Sequence, residues 1–378
     1  MEIPDFQLER FFARWEFAAP YILCASDVEG WPMAELLALA DEETRGLWDS
    51  LTLGYTEAPG HPLLRAEIAS LYETVSPEEV LVFAGAEEAI FVSLNVVLAP
   101  GDHAIVTWPG YQSLYEVARA AGAEVDLLPL DAVAGWALDL DRVCALMRPT
   151  TRAIVVNFPH NPTGALPDAA TWQALVGLAR EAGVYLFSDE VYRFLEYDPT
   201  ERLPAAVDCD VRGVSLGVMS KSFALAGLRI GWIATHDPGL LGRLAAFKDY
   251  TTICNSAPSE ILALIALRSR EQLLARSRGI IVQNLQHLDR FFEEWQGIFE
   301  WVRPRAGSVG FPRLLADVPI DNFARELVEG EGVLLLPGGL FDYPGNHFRL
   351  GFGRTNLPEA LMRLERFAAR RLRGGRRE

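Results

Sequence analysis

Short apolar runs alternate with amphipathic segments along the middle of the chain. Near-continuous apolar stretches of four to seven residues predict seven strands, and helical periodicity between several of them predicts helices. Strands that are apolar on both faces and separated by helices are typical of a largely parallel sheet with helices on both sides. The sequence therefore predicts an α/β fold with a mostly parallel seven-stranded sheet, its strands at 80–83, 103–107, 124–128, 153–157, 184–187, 213–219 and 229–234.

The pattern changes after residue 256. A long helical stretch over 259–295 is followed by short predicted strands and helices, with a last helix over 358–371. This order is typical of a smaller α+β domain, against which the first forty residues are expected to pack. We predict a large domain over residues 46–258 and a small domain made of residues 1–45 and 259–378.

Composition excludes several classes of function. The 378-residue chain carries a net charge of −17, so neither nucleic acid nor an anionic membrane is an expected partner. The first residues lack the regions of a signal peptide, and no run of about 18 apolar residues occurs. The four cysteines and six histidines are scattered without metal-ligand spacing. We expect a cytoplasmic protein without a metal site.

Polar residues follow several predicted strands, where the carboxyl ends of parallel strands form ligand sites. The small-residue turn 84–86 precedes a helix and suits a phosphate, although a plain tight turn is the alternative. Tyr111 follows the next strand and is either a core residue or a ring over a flat cofactor. The loop Asn157–Gly164 holds two prolines and two asparagines, which predicts aimed amide side chains. Asp189 closes an apolar strand and needs a cationic partner.

Lysine is rare in this chain. It has two lysines against 32 arginines, and Lys221 stands eight residues before Arg229. A lysine amine can lose its proton and form a Schiff base, whereas a guanidinium stays charged but suits a phosphate. An amine with a phosphate clamp nearby is what pyridoxal phosphate requires. Arginine-rich genome composition and a surface lysine are the alternative explanation.

Taken in order, these motifs resemble the fold-type I pyridoxal-phosphate enzymes of the class I and II aminotransferase family. The resemblance extends from about residue 53 to residue 354, and its specificity comes from the order and spacing of the matches. These are Tyr55, Gly85-Ala86, Tyr111, the loop Asn157–Gly164, Asp189-Glu190-Val191-Tyr192, Ser220-Lys221 with Arg229, and Phe348-Arg349-Leu350.

The resemblance implies a role for each residue around the cofactor ring. Lys221 would be the Schiff-base lysine and the later proton shuttle. Asp189 would pair with the ring nitrogen and keep it protonated. Asn161 and Tyr192 would hydrogen-bond the ring oxygen, and Tyr111 would stack on the ring.

The resemblance also implies the phosphate and substrate contacts. Ser220, Arg229 and the amides of Gly85 and Ala86 would hold the phosphate, and Tyr55 would reach the phosphate of the neighbouring subunit of a homodimer. Arg349, helped by Asn161, would bind the substrate α-carboxylate. The peptide bonds before Pro109 and Pro162 would be cis. Two departures leave the detailed phosphate contacts open: Val218 stands where many relatives have a hydroxyl residue, and the turn Ala84-Gly85-Ala86 lacks the serine or threonine that is usual there.

The implied activity is transfer of the α-amino group of an L-amino acid to a 2-oxo acid. The same motifs also serve elimination, cyclisation or oxidation, as in capreomycidine-synthase-like or arginine-processing relatives. A ligand-sensing regulator domain is the rival from another class, but such proteins usually carry an N-terminal winged helix and barely fifty residues precede Tyr55. Glu16, Asp27 and Glu29 either receive a cationic side chain or are solvated surface carboxylates.

Overall fold

The computed structural model describes residues 2–373. The strands in this part of the chain are β1 (Tyr21–Ile22), β2 (Val80–Phe83), β3 (His103–Trp108), β4 (Glu124–Pro129), β5 (Thr151–Asn157), β6 (Tyr185–Asp189), β7 (Gly213–Val218), β8 (Gly231–Thr235), β9 (Phe299–Glu300), β10 (Val309–Gly310), β11 (Arg313–Leu314), β12 (Val333–Leu334), β13 (Leu336–Pro337) and β14 (Phe348–Gly351).

The helices alternate with these strands through the middle of the chain and flank them at both ends. They are α1 (Gln7–Trp15), α2 (Met33–Ala38), α3 (Glu42–Asp49), α4 (Pro62–Ala69), α5 (Ala86–Val97), α6 (Gln112–Ala120), α7 (Leu140–Leu146), α8 (Ala169–Ala182), α9 (Ala206–Cys209), α10 (Pro238–Lys248), α11 (Ala257–Arg268), α12 (Arg270–Glu294), α13 (Ile320–Glu331) and α14 (Leu357–Ala368). None of the described helices is both long and apolar enough to cross a membrane.

A seven-stranded sheet forms the centre of the molecule, in the order β2-β8-β7-β6-β5-β3-β4. The pairings are parallel except the two made by β8. Strands β2, β7 and β8 are buried along their whole length, which explains their uninterrupted apolar sequences. The predicted fold class is confirmed.

The C-terminal third differs in detail from the prediction. The expected helix over 259–295 is two helices that meet at Ser269, whose φ of −106° and ψ of 19° are not helical. Helix α11 is buried at every position from Glu260 to Leu267, whereas α12 buries one face only. The expected strand over 309–314 also divides, because Pro312 cannot donate to a ladder. Strand β10 therefore pairs with β14, and β11 pairs with β9.

The N-terminal segment packs against the C-terminal third. Strand β1 pairs in parallel with β12, and the following residues run beside β14, where the Gly351 amide donates to the carbonyl of Leu23. A Cβ at Gly351 would lie 1.9 Å from the carbonyl oxygen of Ala25, so only glycine permits this approach. Helix α1 is thereby placed over the sheet edge at which β3, β5 and β6 end. The division into domains at residues 46 and 258 stays a prediction.

Candidate active site

A cavity of about 530 Å³ lies at the carboxyl ends of the central strands, between α1 and β14. It collects residues that are far apart in sequence. Nine of the eleven predicted site residues line it, namely Ala86, Tyr111, Asn161, Asp189, Tyr192, Ser220, Lys221, Arg229 and Arg349. Gly85 precedes Ala86 and does not itself line the cavity, and Tyr55 lies elsewhere.

Lys221 follows β7 and is half-buried in the cavity wall. Its Nζ donates to the Ser26 hydroxyl at 2.8 Å and lies 5.9 Å from the centroid of the Tyr192 ring. It makes no ion pair with any residue that the structure describes. An amine held by a neutral hydroxyl, without a carboxylate partner, is available for covalent chemistry.

Asp189 ends β6 and is only 4% exposed. Burial raises the pKa of this carboxyl to about 7, although the Val191 amide donates to it and Lys221 lies near. Asp189 forms no ion pair with any of the described residues. A carboxyl in this position ionises readily only when a cation is placed beside it.

The loop Asn157–Gly164 is tied to Asp189 through Asn157. The Asn157 side chain donates to the carbonyl of Asp189 at 2.9 Å and accepts from the Asn161 amide at 2.8 Å. The cis bonds expected before Pro109 and Pro162 are present, and the bond before Pro159 is also cis. Asn157 therefore fixes the loop relative to the neighbouring strand end.

Two hydroxyl groups in the cavity wall have no hydrogen-bond partner among residues 2–373. These are the buried hydroxyls of Tyr192 and Ser220. Tyr192 is 1% exposed and Ser220 is 7% exposed, and both residues line the cavity. Buried polar groups are nearly always hydrogen-bonded, so these two indicate a ligand that brings its own acceptors.

The turn 84–86 opens α5 beside Arg229. Gly85 has a φ of +91°, and a Cβ at this position would lie 2.7 Å from the Arg229 guanidinium. Within the described part of the chain, the guanidinium makes one long hydrogen bond, 3.4 Å to the carbonyl of Ala226. A helix N-terminus next to an exposed guanidinium is a suitable site for a phosphate. Val218 lines the same region without a hydroxyl.

Arg349 lies in β14 and is 1% exposed. Its guanidinium donates to the carbonyl of Cys24 at 3.1 and 2.9 Å, and to the Asn161 side chain at 3.2 Å. No carboxylate of the described residues pairs with it. A buried guanidinium without an anion has high affinity for a carboxylate ligand.

The N-terminal segment contributes an acidic wall, which we define as Glu9, Glu16 and Asp27. Arg354 holds both oxygens of Asp27 at 2.9 Å. Glu29 points elsewhere, because it accepts from the amide and hydroxyl of Thr355. Of the three acids considered from sequence, two line the cavity and one does not.

Sequence reasoning missed several residues of the cavity, among them Ser26, Glu9 and Glu87. Asn157 also lines the cavity, and it belongs to the loop in which the sequence predicts aimed amide side chains. Glu87 follows the turn 84–86, and burial raises its pKa although the Ser113 hydroxyl donates to it. Ser26 and Glu9 have no local signal, since their place depends on how the N-terminal segment crosses the sheet edge.

Tyr55 lies outside the cavity. Its side chain is 91% exposed, in a shallow depression of about 360 Å³ that also contains Leu53, Asn255 and Ser256. The expected role of Tyr55 across a subunit interface stays a prediction.

Comparisons with known proteins agree with this geometry. The family model described as aminotransferase class I and II matches residues 34–364. Capreomycidine synthase of Streptomyces vinaceus is 30% identical over 99% of this chain and 96% of its own length. Arginine–pyruvate transaminase of Pseudomonas aeruginosa is 31% identical over 85% of this chain and 84% of its own. The structure of a PLP-dependent aminotransferase from Streptococcus suis has a TM-score of 0.92 and 33% identity, covering 98% and 99% of the two chains.

Proposed function

The chain belongs to the aminotransferase class I and II family, and we propose that its cavity is where this pyridoxal-phosphate-dependent enzyme transfers an α-amino group. The donor is an L-amino acid and the acceptor is a 2-oxo acid. One observation carries the assignment: the amine of Lys221 and the buried guanidinium of Arg349 line the same cavity, and neither pairs with a carboxylate of the described residues.

The residues present fit the cofactor. Arg229 and the turn 84–86 suit the phosphate. The buried hydroxyl of Ser220 suits a phosphate oxygen, and that of Tyr192 suits the ring oxygen. Asp189 is the buried carboxyl that a protonated ring nitrogen would neutralise. When bound, pyridoxal phosphate supplies an electron-withdrawing ring that stabilises negative charge at the substrate Cα.

The protein's own groups then have separate tasks. Arg349 binds the α-carboxylate with its planar fork, and Asn161 orients that guanidinium. Lys221 moves the Cα proton as the general base and acid. Asp189 would keep a positive charge on the ring nitrogen, and α1 and Tyr111 contribute to the cavity wall.

The direct test is the complete reaction followed by mass spectrometry, together with its first half-reaction followed by absorbance. Incubating the holoenzyme with an amino acid and pyruvate should produce the matching 2-oxo acid and alanine in equal amounts. The cofactor absorbance should shift when the amino acid is added alone. If no L-amino acid in a complete panel changes the absorbance, the proposed function is wrong.

The acidic wall supports an amino donor with a cationic side chain. Arg349, Arg229 and Asp189 each have a proposed counter-charge on substrate or cofactor. Glu9 and Glu16 face the cavity and form no ion pair within the described residues. Burial, Asp27 and Glu9 raise the pKa of Glu16, so a cation placed there would relieve both desolvation and repulsion. The similarity to an arginine–pyruvate transaminase supports the same donor class.

This substrate class can be tested with a neutral isostere. Citrulline has the length of arginine without its charge, so kcat/KM for arginine should exceed that for citrulline by about a hundredfold. Glu9→Gln/Glu16→Gln should reduce the preference about tenfold or more. Glu29→Gln is the matched control, since Glu29 belongs to the same segment but points to Thr355. If the double variant keeps the preference for arginine over citrulline, the acidic wall does not select the donor. The proposal of transamination would be unaffected by that result.

Cyclisation is the second candidate, because the similarity to capreomycidine synthase covers 99% of the chain. The two reactions differ in the fate of nitrogen. Transamination replaces the amino group of the donor by an oxo group, whereas cyclisation within the substrate retains its nitrogen. The exact mass of the product formed from a ¹⁵N-labelled donor therefore distinguishes transamination from cyclisation.

The homodimer, the contribution of Tyr55 and the cytoplasmic location are predictions that belong to the same proposal. The side chains of Leu53, Tyr55 and Tyr250 are 88%, 91% and 91% exposed in the single chain. Large apolar side chains that are this exposed support a surface that a second subunit would cover. Mixing inactive Lys221→Ala with Tyr55→Ala chains tests the shared site. Activity should return, because one site of each mixed dimer would have both residues intact.

A further inference from the structure

The second lysine of the chain has no part in the proposed chemistry, and it is buried. Lys248 ends α10 and is 1% exposed. Its Nζ donates to the carbonyl of Ala58 at 2.6 Å and to the carbonyl of Ile253 at 3.0 Å. One nitrogen thus joins two backbone segments. An ammonium group carries its donors on one nitrogen and can bond both carbonyls in a small space. A guanidinium spreads its donors over a wider plane.

Lys248 closes the Thr loop, which we define as residues 249–254. Its backbone carbonyl accepts from the amide of Ile253 at 3.1 Å, and its side chain donates to the carbonyl of the same residue. Ile253 has a φ of +65°, which is unfavourable for a β-branched side chain. Such a backbone persists only where its surroundings determine it, and the ammonium supplies one of those constraints.

The Thr loop is bonded to the phosphate turn, which we define as Ala84-Gly85-Ala86. The hydroxyls of Thr251 and Thr252 donate to one oxygen of Glu88 at 2.5 and 2.7 Å. The other Glu88 oxygen accepts from the Ala84 amide at 2.6 Å. Glu88 therefore orients the first residue of the phosphate turn, and the two threonines orient Glu88.

These contacts form one continuous path from Lys248 to the phosphate turn. The turn tolerates little displacement, because a Cβ at Gly231 would lie 2.7 Å from the Gly85 carbonyl carbon and 2.8 Å from the Ala86 amide nitrogen. Hydroxyl groups are missing at Ala84 and Val218, so the backbone amides of the turn carry more of any phosphate binding. Their orientation thus matters more here than in a turn rich in serine and threonine.

We propose that Lys248 is a positioning residue for the phosphate turn, acting through the Thr loop and Glu88. This inference rests on the proposed cofactor site and assigns a role to a residue outside the cavity. Its specific consequence is that loss of Lys248 weakens binding of the phosphate group and leaves binding of the ring unchanged.

Comparing pyridoxal phosphate with pyridoxal, which lacks the phosphate, measures this consequence. We would titrate the apoprotein with each compound and follow absorbance, for wild type, Lys248→Met, Glu88→Gln and Thr251→Val/Thr252→Val. Each variant should bind pyridoxal phosphate about tenfold more weakly, with the affinity for pyridoxal unchanged within about twofold. Hydrogen exchange at the Ala84 amide should be faster in all three variants, independently of cofactor.

The path also predicts non-additivity. Combining Lys248→Met with Glu88→Gln should cost little more than either change alone, because both interrupt the same chain of contacts. Equal losses for the two compounds, or no loss in any variant, would overturn the inference. If Lys248→Met does not fold, the variant Thr251→Val/Thr252→Val still tests the path, because both threonines are exposed. A wild-type protein that binds pyridoxal as tightly as pyridoxal phosphate would instead refute the proposed phosphate site.

Discussion

The floor and the N-terminal wall of the cavity are built in different ways. The floor consists of strand ends and buried side chains, where Asp189, Arg349 and Tyr192 are at most 4% exposed. The wall consists of α1 and the following residues, where Glu9 and Glu16 have more contact with solvent and no ion pair within the described residues. In the proposed function, the floor would hold groups that any amino donor requires. The wall holds groups that only some side chains would contact.

This difference separates the reaction from its specificity. Changes in the floor should affect all amino donors and should be large, because buried charges lose their partners. Changes in the wall should affect donors selectively and should be small, because partly exposed charges interact weakly. The predictions below compare the two regions.

The largest effect is expected at Lys221. Lys221→Ala should abolish covalent binding of the cofactor, and Lys221→Arg should fail equally because a guanidinium does not condense with an aldehyde. The measurement is the visible absorbance of each variant after addition of pyridoxal phosphate. A normal spectrum in either variant would show that the floor has been assigned incorrectly.

The second-largest effect is expected for Asp189→Asn. In the proposed site it removes the charge that would keep the ring nitrogen protonated, so turnover should fall about a thousandfold or more for every donor. Steady-state kinetics with a basic and a neutral donor would measure this. A loss confined to one donor would contradict the separation between floor and wall.

Asp189→Asn should lower turnover but raise the stability of the apoprotein at neutral and alkaline pH. The carboxyl has a folded pKa of about 7, above the unfolded value of about 3.9. The wild-type apoprotein therefore loses stability as pH rises from about 4 to about 7, by on the order of 4 kcal/mol. Asp189→Asn apoprotein should be more stable than wild type at pH 8, and this advantage should disappear below pH 4. Urea unfolding at the two pH values measures it.

Arg349→Lys should have an intermediate effect. The charge remains but the bidentate geometry is lost, so KM should rise about tenfold to a hundredfold for all donors while the cofactor spectrum stays normal. The measurement is KM for a basic and a neutral donor. If the variant unfolds or loses cofactor with unchanged amino-acid affinity, Arg349 is structural and the carboxylate site lies elsewhere.

The smallest effect is expected in the wall, at Arg354. This arginine holds both oxygens of Asp27 and makes no part of the floor. Arg354→Gln should free a third carboxylate and increase the arginine-over-citrulline preference by about twofold to fivefold, since both groups are partly exposed. Unchanged kcat with citrulline is the control. A decrease in the preference would show that Asp27 does not face the substrate.

The sequence predicted the floor better than the wall, for a physical reason. Strand ends carry Asp189 and the loop Asn157–Gly164, and parallel strands must end at one edge of the sheet. Arg349 is distant in sequence, and only the resemblance to a known family connected it to Lys221. The position of the wall depends on the path of the N-terminal segment beside Gly351, which no local periodicity encodes. The buried contacts of Lys248 likewise depend on tertiary packing.

The central claim is that Lys221 carries the cofactor, and the two lysines of this chain make its test unusually clear. Borohydride reduction of the holoenzyme should fix the cofactor to the lysine, and peptide mass spectrometry would locate it. The account predicts one adduct, on the peptide that contains Lys221. An adduct on Lys248, or a reduced cofactor that is released from the protein, would contradict it.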